Sequence, residues 1–589
     1  MAKRQLQWAI TIFVGIVIII GGGSLFVRHV VGPQFRRLPF VSNNQVVPFH
    51  EHHGLDPEIP TLISGPGINL NDVPQPFIED EVIYLPASFL VRHFDPFLFW
   101  DSGAGVLTIT TREDIVVFHL GRTRFYVNGM PREMDNPIRL ADGEVFIPAG
   151  IAEALYPVIV RHYEAYNLVV AESAALPRTT AELTQRTDIR FREISSSPIA
   201  VRRAPAGSVV TVFEEIEGFT RVRTEDGILG WAPTSSIGET TTVSPINTLV
   251  RETLLGGFIL NTITLPPNWP AGKPVIMAWD SISGQAVNYA RMQVPLYDSL
   301  NVVAPTWFGL NTETMNLTSL ACREYAGWAN ASEVQVWPTF EIPAGNVRAF
   351  LTNRAARQRV IGQLVGYVDE LSLGGINIDF APHSYMEGPY FIQFLRELAP
   401  PLRARGAVLT VNAMDHESAF YERGLIAYTV DFVIIMALDE HNRDSDISGP
   451  VASLSFVRNN IEAMLEYIPR EQLVLALPFY NRVWRELIVD NTPETRRILH
   501  FGTGYTREWF DYHDVEWEWL PDIGSYFGGF SVLEGDEMVW YSVWLECARS
   551  LDEKLLLFQR YNLAGVAAWD RSFRYNEELW EVKGRNFPQ

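Results

Sequence analysis

From residue 273 onward, short apolar runs alternate with longer segments whose apolar residues recur at three- and four-residue spacing. The runs fall at 274–279, 300–308, 334–337, 373–381, 408–411, 432–436, 473–478 and 565–569. Between them, residues 353–369 put Val360, Leu364 and Val368 on one helical face, and Phe391, Phe394, Leu395 and Leu398 repeat that spacing. Strands alternating with amphipathic helices predict β/α units around a parallel sheet. Eight of them predict a (β/α)8 TIM barrel over 273–589. In the fourth run, Ile376, Ile378 and Phe380 alternate with Asn377 and Asp379. A buried strand with that period delivers its polar groups at the C-terminal end, where such barrels carry their sites.

Upstream the pattern changes. Residues 8–27 form an uncharged run of membrane-spanning length, preceded by Lys3 and Arg4 as in a signal sequence or signal anchor. The run is long for a cleaved segment and lacks a clear A-x-A site, which favours an uncleaved N-terminal transmembrane helix with its tip (1–31). Arg28, Arg36 and Arg37 on the far side leave the charge rule for orientation ambiguous. Residues 32–74, rich in Pro, Asn and Gly, predict a linker. Phe49-His-Glu-His-His53 lies within it, and without a partner cluster a solvated loop is favoured over a metal site.

An internal repeat follows. Val82-Ile-Tyr-Leu-Pro86-Ala-Ser-Phe-Leu90 recurs as Val145-Phe-Ile-Pro148-Ala-Gly-Ile-Ala152, each a short strand running into a short helix. This repeat resembles the copper-amine-oxidase N-terminal-like domain, an α+β spacer of bacterial envelope proteins, over 75–172; no copper ligands are visible and none are expected. Residues 188–238 carry short strands at 209–213 and 220–224, an Asp226-Gly227 turn and Gly230-Trp231. They resemble a bacterial SH3-like small β-barrel, which implies either binding of wall peptides or a spacer role. Residues 239–272 form a second linker.

Composition narrows the function. The net charge of −22 argues against nucleic acid as a partner. Aromatic residues make up 12% of the chain, which suits packed cores and sugar-stacking surfaces alike. Cys322 and Cys547 have no metal-ligand spacing around them and are expected as buried free thiols. No metal or other cofactor is expected.

The strand ends carry the decisive resemblance. Leu373-Gly-Gly-Ile-Asn-Ile-Asp379-Phe-Ala381, Asn301-Val-Val-Ala-Pro-Thr-Trp-Phe308, Met436-Ala-Leu-Asp439-Glu-His441, Pro478-Phe-Tyr480-Asn-Arg-Val-Trp484 and Val566-Ala-Ala-Trp569 succeed one another in order. Together they resemble glycoside hydrolase family 18, the chitinase family, and its bacterial spore-cortex branch. That resemblance implies a mechanism in which a glutamic acid protonates the glycosidic oxygen while the substrate's acetamido carbonyl attacks the anomeric carbon. It implies Asp379 as the residue orienting the acetamido group, Asp439 as its catalytic support, and Asn377, Tyr480, Trp569 and Trp307 as substrate-binding residues.

Two positions depart from the family pattern. Ala381 stands where the acid is expected, and Leu438 where a supporting tyrosine is expected. Loss of a positioned general acid costs on the order of 10²–10⁴ in rate. The leading expectation is therefore a membrane-anchored, extracytoplasmic protein recognising cell-wall glycan that contains N-acetylglucosamine, peptidoglycan foremost, with hydrolysis lost or much reduced. The alternative is an active hydrolase with a displaced acid such as Glu387. Glycan identity and oligomeric state are left open by the sequence.

Overall fold

The computed structural model describes residues 45–589 except 69–72, 244–268, 271, 298, 382–384, 414–419, 443, 490–491, 572, 574–578 and 582–589. The expected membrane anchor lies outside the described residues, and among those residues no helix is long and apolar enough to cross a membrane. The chain forms two compact units, one of Met1–Leu98, His119–Phe125 and Glu133–Phe258, the other of Phe99–Phe118, Tyr126–Arg132 and Ile259–Gln589.

In the first unit the internal repeat becomes a pair of antiparallel strands. Val82–Pro86 and Glu144–Pro148 lie side by side with Ile147 opposite Leu85, and each runs into a helix, Ala87–His93 and Ala149–Leu155. The segment expected as linker 32–74 is partly structured. Strand Thr61–Ser64 pairs with Leu168–Ser173, and the histidine run is a short helix, Phe49–His53, not a solvated loop. Phe49 is buried and His52 stacks on Phe191 at 3.8 Å, so the apolar side of this segment is used in packing. A seven-stranded antiparallel sheet spans the expected small β-barrel. It begins earlier and ends later than 188–238, because Arg178–Leu183 pairs with both Val209–Ile216 and Ile237–Val243.

The second unit holds the barrel. Its strands are β1 (Val275–Asp280), β2 (Val302–Pro305), β3 (Gln335–Val336 and Thr339–Ile342), β4 (Gly375–Phe380), β5 (Val408–Ala413), β6 (Phe432–Met436), β7 (Leu473–Pro478) and β8 (Gly565–Trp569). Each pairs in parallel with the next, and β8 pairs with β1. Closure at β3 has a distinctive form. Pro338 has no N–H for the ladder, and the strand breaks there. Gln335–Val336 pairs with β2, whereas Thr339–Ile342 pairs with β4. Sequence reading ended this strand at Trp337; the structure carries it on to Ile342.

The interior is filled by Val275, Met277, Val302, Ala304, Trp337, Val408, Phe432, Ile434, Val474, Ala476 and Ala567. Two glycines admit this packing: a Cβ at Gly565 would lie 2.1 Å from the Val275 carbonyl oxygen, and one at Gly375 2.7 Å from that of Val408. One polar row crosses the apolar interior. The Asn377 side-chain amide donates to Thr339 Oγ1 at 3.1 Å and accepts from Thr410 Oγ1 at 2.8 Å, and all three residues are fully buried. Free Cys322 and Cys547 are buried.

One element was not anticipated. Between β7 and helix Ala548–Tyr561 the chain inserts a five-stranded antiparallel sheet running from Asn481 to Leu545, with helix Thr503–Tyr512 packed on it. It has its own core of Val483, Phe510, Phe530, Val539, Tyr541 and Val543.

Asn377→Ala removes both hydrogen bonds and strands two buried hydroxyls, each costing about 1–3 kcal/mol when unsatisfied. The barrel's unfolding transition in denaturant is expected to shift down by on the order of 3 kcal/mol; an unchanged transition would contradict the register role given to this row.

Candidate active site at the C-terminal end of the barrel

The alternation along β3, β4 and β5 decides which side chains reach the barrel mouth. Phe340 and Phe380 point outward and meet Phe350 and Phe394 of the surrounding helices, with Phe340 and Phe380 rings 5.2 Å apart. The residues between them must point inward. Thr339, Asn377 and Thr410 form one inward row, in register across three strands. Two residues further along, Glu341 is in register with Asp379. Asn412 continues β5 in the same phase, two residues beyond Thr410.

Asp379 sits in the mouth mostly enclosed by protein, with part of its surface still open. That burial pushes its carboxyl up to about 6, and the charge of Glu341 adds to the effect; the nearby Asn412 amide works the other way by favouring the carboxylate. The Asn412 amide is fully buried, yet neither its oxygen nor its nitrogen has a well-aligned hydrogen-bond partner among the described residues. It stands beside Asp379, whose carboxylate it favours. Glu341 is more exposed, and partial burial raises its carboxyl as well.

Asp439 lies across the mouth, immediately after β6, at a positive φ of 67°. Its Oδ1 accepts from the Tyr480 hydroxyl at 2.6 Å and from the Arg482 guanidinium. Burial, and then the Asp439 charge, hold the Tyr480 hydroxyl firmly protonated, well above its ordinary range. The Tyr480 ring stacks on Phe573 at 5.3 Å. Trp569 ends β8 against Trp279, ring centres 5.3 Å apart, and is partly open, as is Leu438; both border the barrel's apolar core.

The remaining expected residues fall elsewhere. Asn377 is one row below the mouth, spent on Thr339 and Thr410, and its side chain has no surface for a ligand. Trp307 is buried between strand and helices: its Nε1–H donates to Asn288 Oδ1 at 2.7 Å and its ring meets Tyr325. β2 ends at Pro305, so Trp307 has left the strand's inward alternation. Glu387 closes the turn before helix Gly388–Arg403, 2% exposed and ion-paired with Arg348 at 3.3 Å. Glu440, the residue after Asp439, accepts from the Ser453 N–H and hydroxyl and so fixes the start of helix Leu454–Leu465. Glu341 was missed, because the expected strand stopped before it. Its phase with Asp379 was legible only once Thr339-Phe-Glu-Ile342 was taken as strand.

Residues 343–573 match the model of glycosyl hydrolases family 18. Residues 67–167 match that of the copper amine oxidase N-terminal domain. The chain is 27% identical over 243 residues to the putative sporulation-specific glycosylase YdhD of Bacillus subtilis (strain 168), covering 40% of this chain and 56% of that protein. The chain thus spans little more than half the length of that relative. It is 20% identical over 326 residues to the uncharacterized glycosylase YvbX of the same organism, covering 51% of this chain and 90% of the relative. Among solved structures it resembles the C-terminal domain of a putative chitinase from Desulfitobacterium hafniense DCB-2, with 19% identity, TM-score 0.49 and coverage of 54% of this chain and 100% of the other. It also resembles the Bacillus cereus spore cortex-lytic enzyme SleL, with 15% identity, TM-score 0.47 and coverage of 56% and 78%. The family match begins two residues after Glu341, which therefore lies outside it.

The raised carboxyl of Asp379 has a consequence for stability. Its folded value near 6 exceeds the ordinary 3.8, so the folded state holds the proton more tightly. Stability from this group is complete below pH 4 and is lost as pH rises through 6. Asp379→Asn is expected to gain on the order of 1–2 kcal/mol over wild type at pH 7 and nothing at pH 4, read from denaturant unfolding at both pH values. An equal gain at both would contradict the raised carboxyl.

Proposed function

We propose that the C-terminal end of the barrel recognises a glycan containing N-acetylglucosamine, with peptidoglycan as the glycan in question. The observation that carries this reading is Asp379: an inward, largely desolvated carboxyl at the end of β4, next to the buried Asn412 amide. Such a group is suited to a short hydrogen bond with the N–H of a 2-acetamido sugar, because a desolvated acceptor gains more from a donor than a hydrated one does. Trp569 offers a partly open ring at the floor of the same mouth. The Asp439–Tyr480–Arg482 cluster borders it with a hydroxyl and a guanidinium held by one carboxylate.

The reading also draws on the family-18 match over 343–573 and on relatives named as glycosylases. Position 381 carries a methyl group, so hydrolysis by a proton donor at that position is lost in this chain. Residues 8–27 anchor the chain in a membrane on this view, with the later domains outside the cytoplasm. The antiparallel sheet from Arg178 to Val243 serves as an SH3-like spacer or wall-peptide module.

Calorimetric titration of the full chain with the N-acetylglucosamine tetramer tests the reading. Binding is expected, and Asp379→Ala is expected to weaken it at least about tenfold, the loss that follows from leaving one hydrogen bond of about 1.4 kcal/mol unmade. Equal affinity in the variant, or no binding to any N-acetylglucosamine oligomer, would overturn it.

A further inference from the structure

We propose that Glu341 is the proton donor of this site, acting from β3 in place of the acid absent at position 381 of β4. The inference rests on the glycan site described above and goes beyond it in assigning a reaction and the residue that carries it.

Register is the first support. Glu341 and Asp379 are partners across the β3–β4 ladder, and each is next to an outward-facing aromatic, Phe340 and Phe380, so both point into the mouth. Adjacent strands are about 4.8 Å apart, so the two carboxyl groups share one local environment, and Glu341 adds to the upward push on Asp379. Reach is the second. Glu341 has one methylene more than Asp379, so its carboxyl reaches farther from its strand into the mouth. Ala381 carries a single methyl group, and its N–H is spent on the Ile342 carbonyl, so the two strands stay in register there. Exposure is the third. Glu341 is the carboxyl of the pair that opens to solvent, where a leaving oxygen would stand, while Asp379 lies deeper.

A further observation points to a ligand in the same row. The Asn412 side chain is fully buried with both polar atoms lacking aligned partners among the described residues. Its amide stands beside Asp379 and favours that carboxylate, so an acetamido group held by Asp379 would meet Asn412 as well. Glu387, by contrast, is buried in its ion pair with Arg348.

The reaction closes with these groups alone. Glu341 gives its carboxyl proton to the glycosidic oxygen as the bond from that oxygen to C1 breaks, and the bond's electron pair stays on the leaving oxygen. The acetamido carbonyl oxygen of the same sugar bonds to C1, forming an oxazolinium ion whose N–H faces Asp379. Water then adds to C1 and passes a proton to the Glu341 carboxylate, and the bond between C1 and the acetamido oxygen returns its electrons to that oxygen. One water is consumed for each glycosidic bond cleaved, and Glu341 ends protonated as it began. Partial burial of Glu341 raises its carboxyl and so favours its protonated form.

The test uses the full chain, the N-acetylglucosamine tetramer and the 2,4-dinitrophenyl glycoside of the dimer, whose leaving group needs no proton. Wild type is expected to bind and cleave both. Glu341→Gln is expected to bind the tetramer with unchanged affinity, lose on the order of 10²–10⁴ in kcat/KM on it, and keep most of its kcat/KM on the dinitrophenyl glycoside. A wild type that binds the tetramer without cleaving it, or a Glu341→Gln variant that cleaves it undiminished, overturns the assignment of Glu341 and leaves the binding site standing. A wild type that does not bind the tetramer overturns the site itself and the assignment with it.

Discussion

The buried amide of Asn377 is the constraint on which the mouth of the barrel depends. It is a polar group in an apolar interior, and it is tolerated because Thr339 on one side and Thr410 on the other satisfy it. Those bonds can form in only one register of β3, β4 and β5. A slip of one residue would turn every side chain of a strand to the opposite face. By fixing the lower row, Asn377 fixes the row above, where Glu341, Asp379 and Asn412 stand together. The resemblance at the level of sequence suggested a ligand role for Asn377; its position makes it the support for the ligand row instead.

Electrostatics then separates the two sides of the mouth. On one side the carboxyls of Asp379 and Glu341 lie on adjacent strands, unpaired with any cation among the described residues, and burial raises both. On the other, Asp439 is tied to Arg482 and Tyr480. The first side is suited to holding a proton near neutral pH, and the second to holding a fixed geometry. Three aspartate or glutamate side chains around one pocket thus have two distinct physical characters, set by their neighbours and not by residue type.

The fold of the barrel was largely legible in the sequence, since its eight strands were apolar runs and helical spacing marked the segments on either side of β4. Asp379 was legible too, because a period-2 alternation at the end of a strand leaves little choice of direction. Three features were not. Pro338 interrupts β3 and hid the continuation that places Glu341. Trp307 follows Pro305, where the strand ends, so its inward phase is lost and it packs against Asn288 and Tyr325. The inserted sheet from Asn481 to Leu545 is antiparallel and amphipathic, and its period-2 pattern carries no mark separating it from barrel strands. In each case the missing information was where a strand stops, which tertiary pairing decides more than local preference does.

A crystal structure of the full chain with the N-acetylglucosamine tetramer is the most direct measurement. The expected complex has the acetamido N–H of one sugar on Asp379, its carbonyl within reach of its own C1, and the Glu341 carboxyl beside the glycosidic oxygen. A tetramer bound away from Asp379, or bound there with Glu341 turned from the glycosidic bond and water alone at its place, would contradict that arrangement.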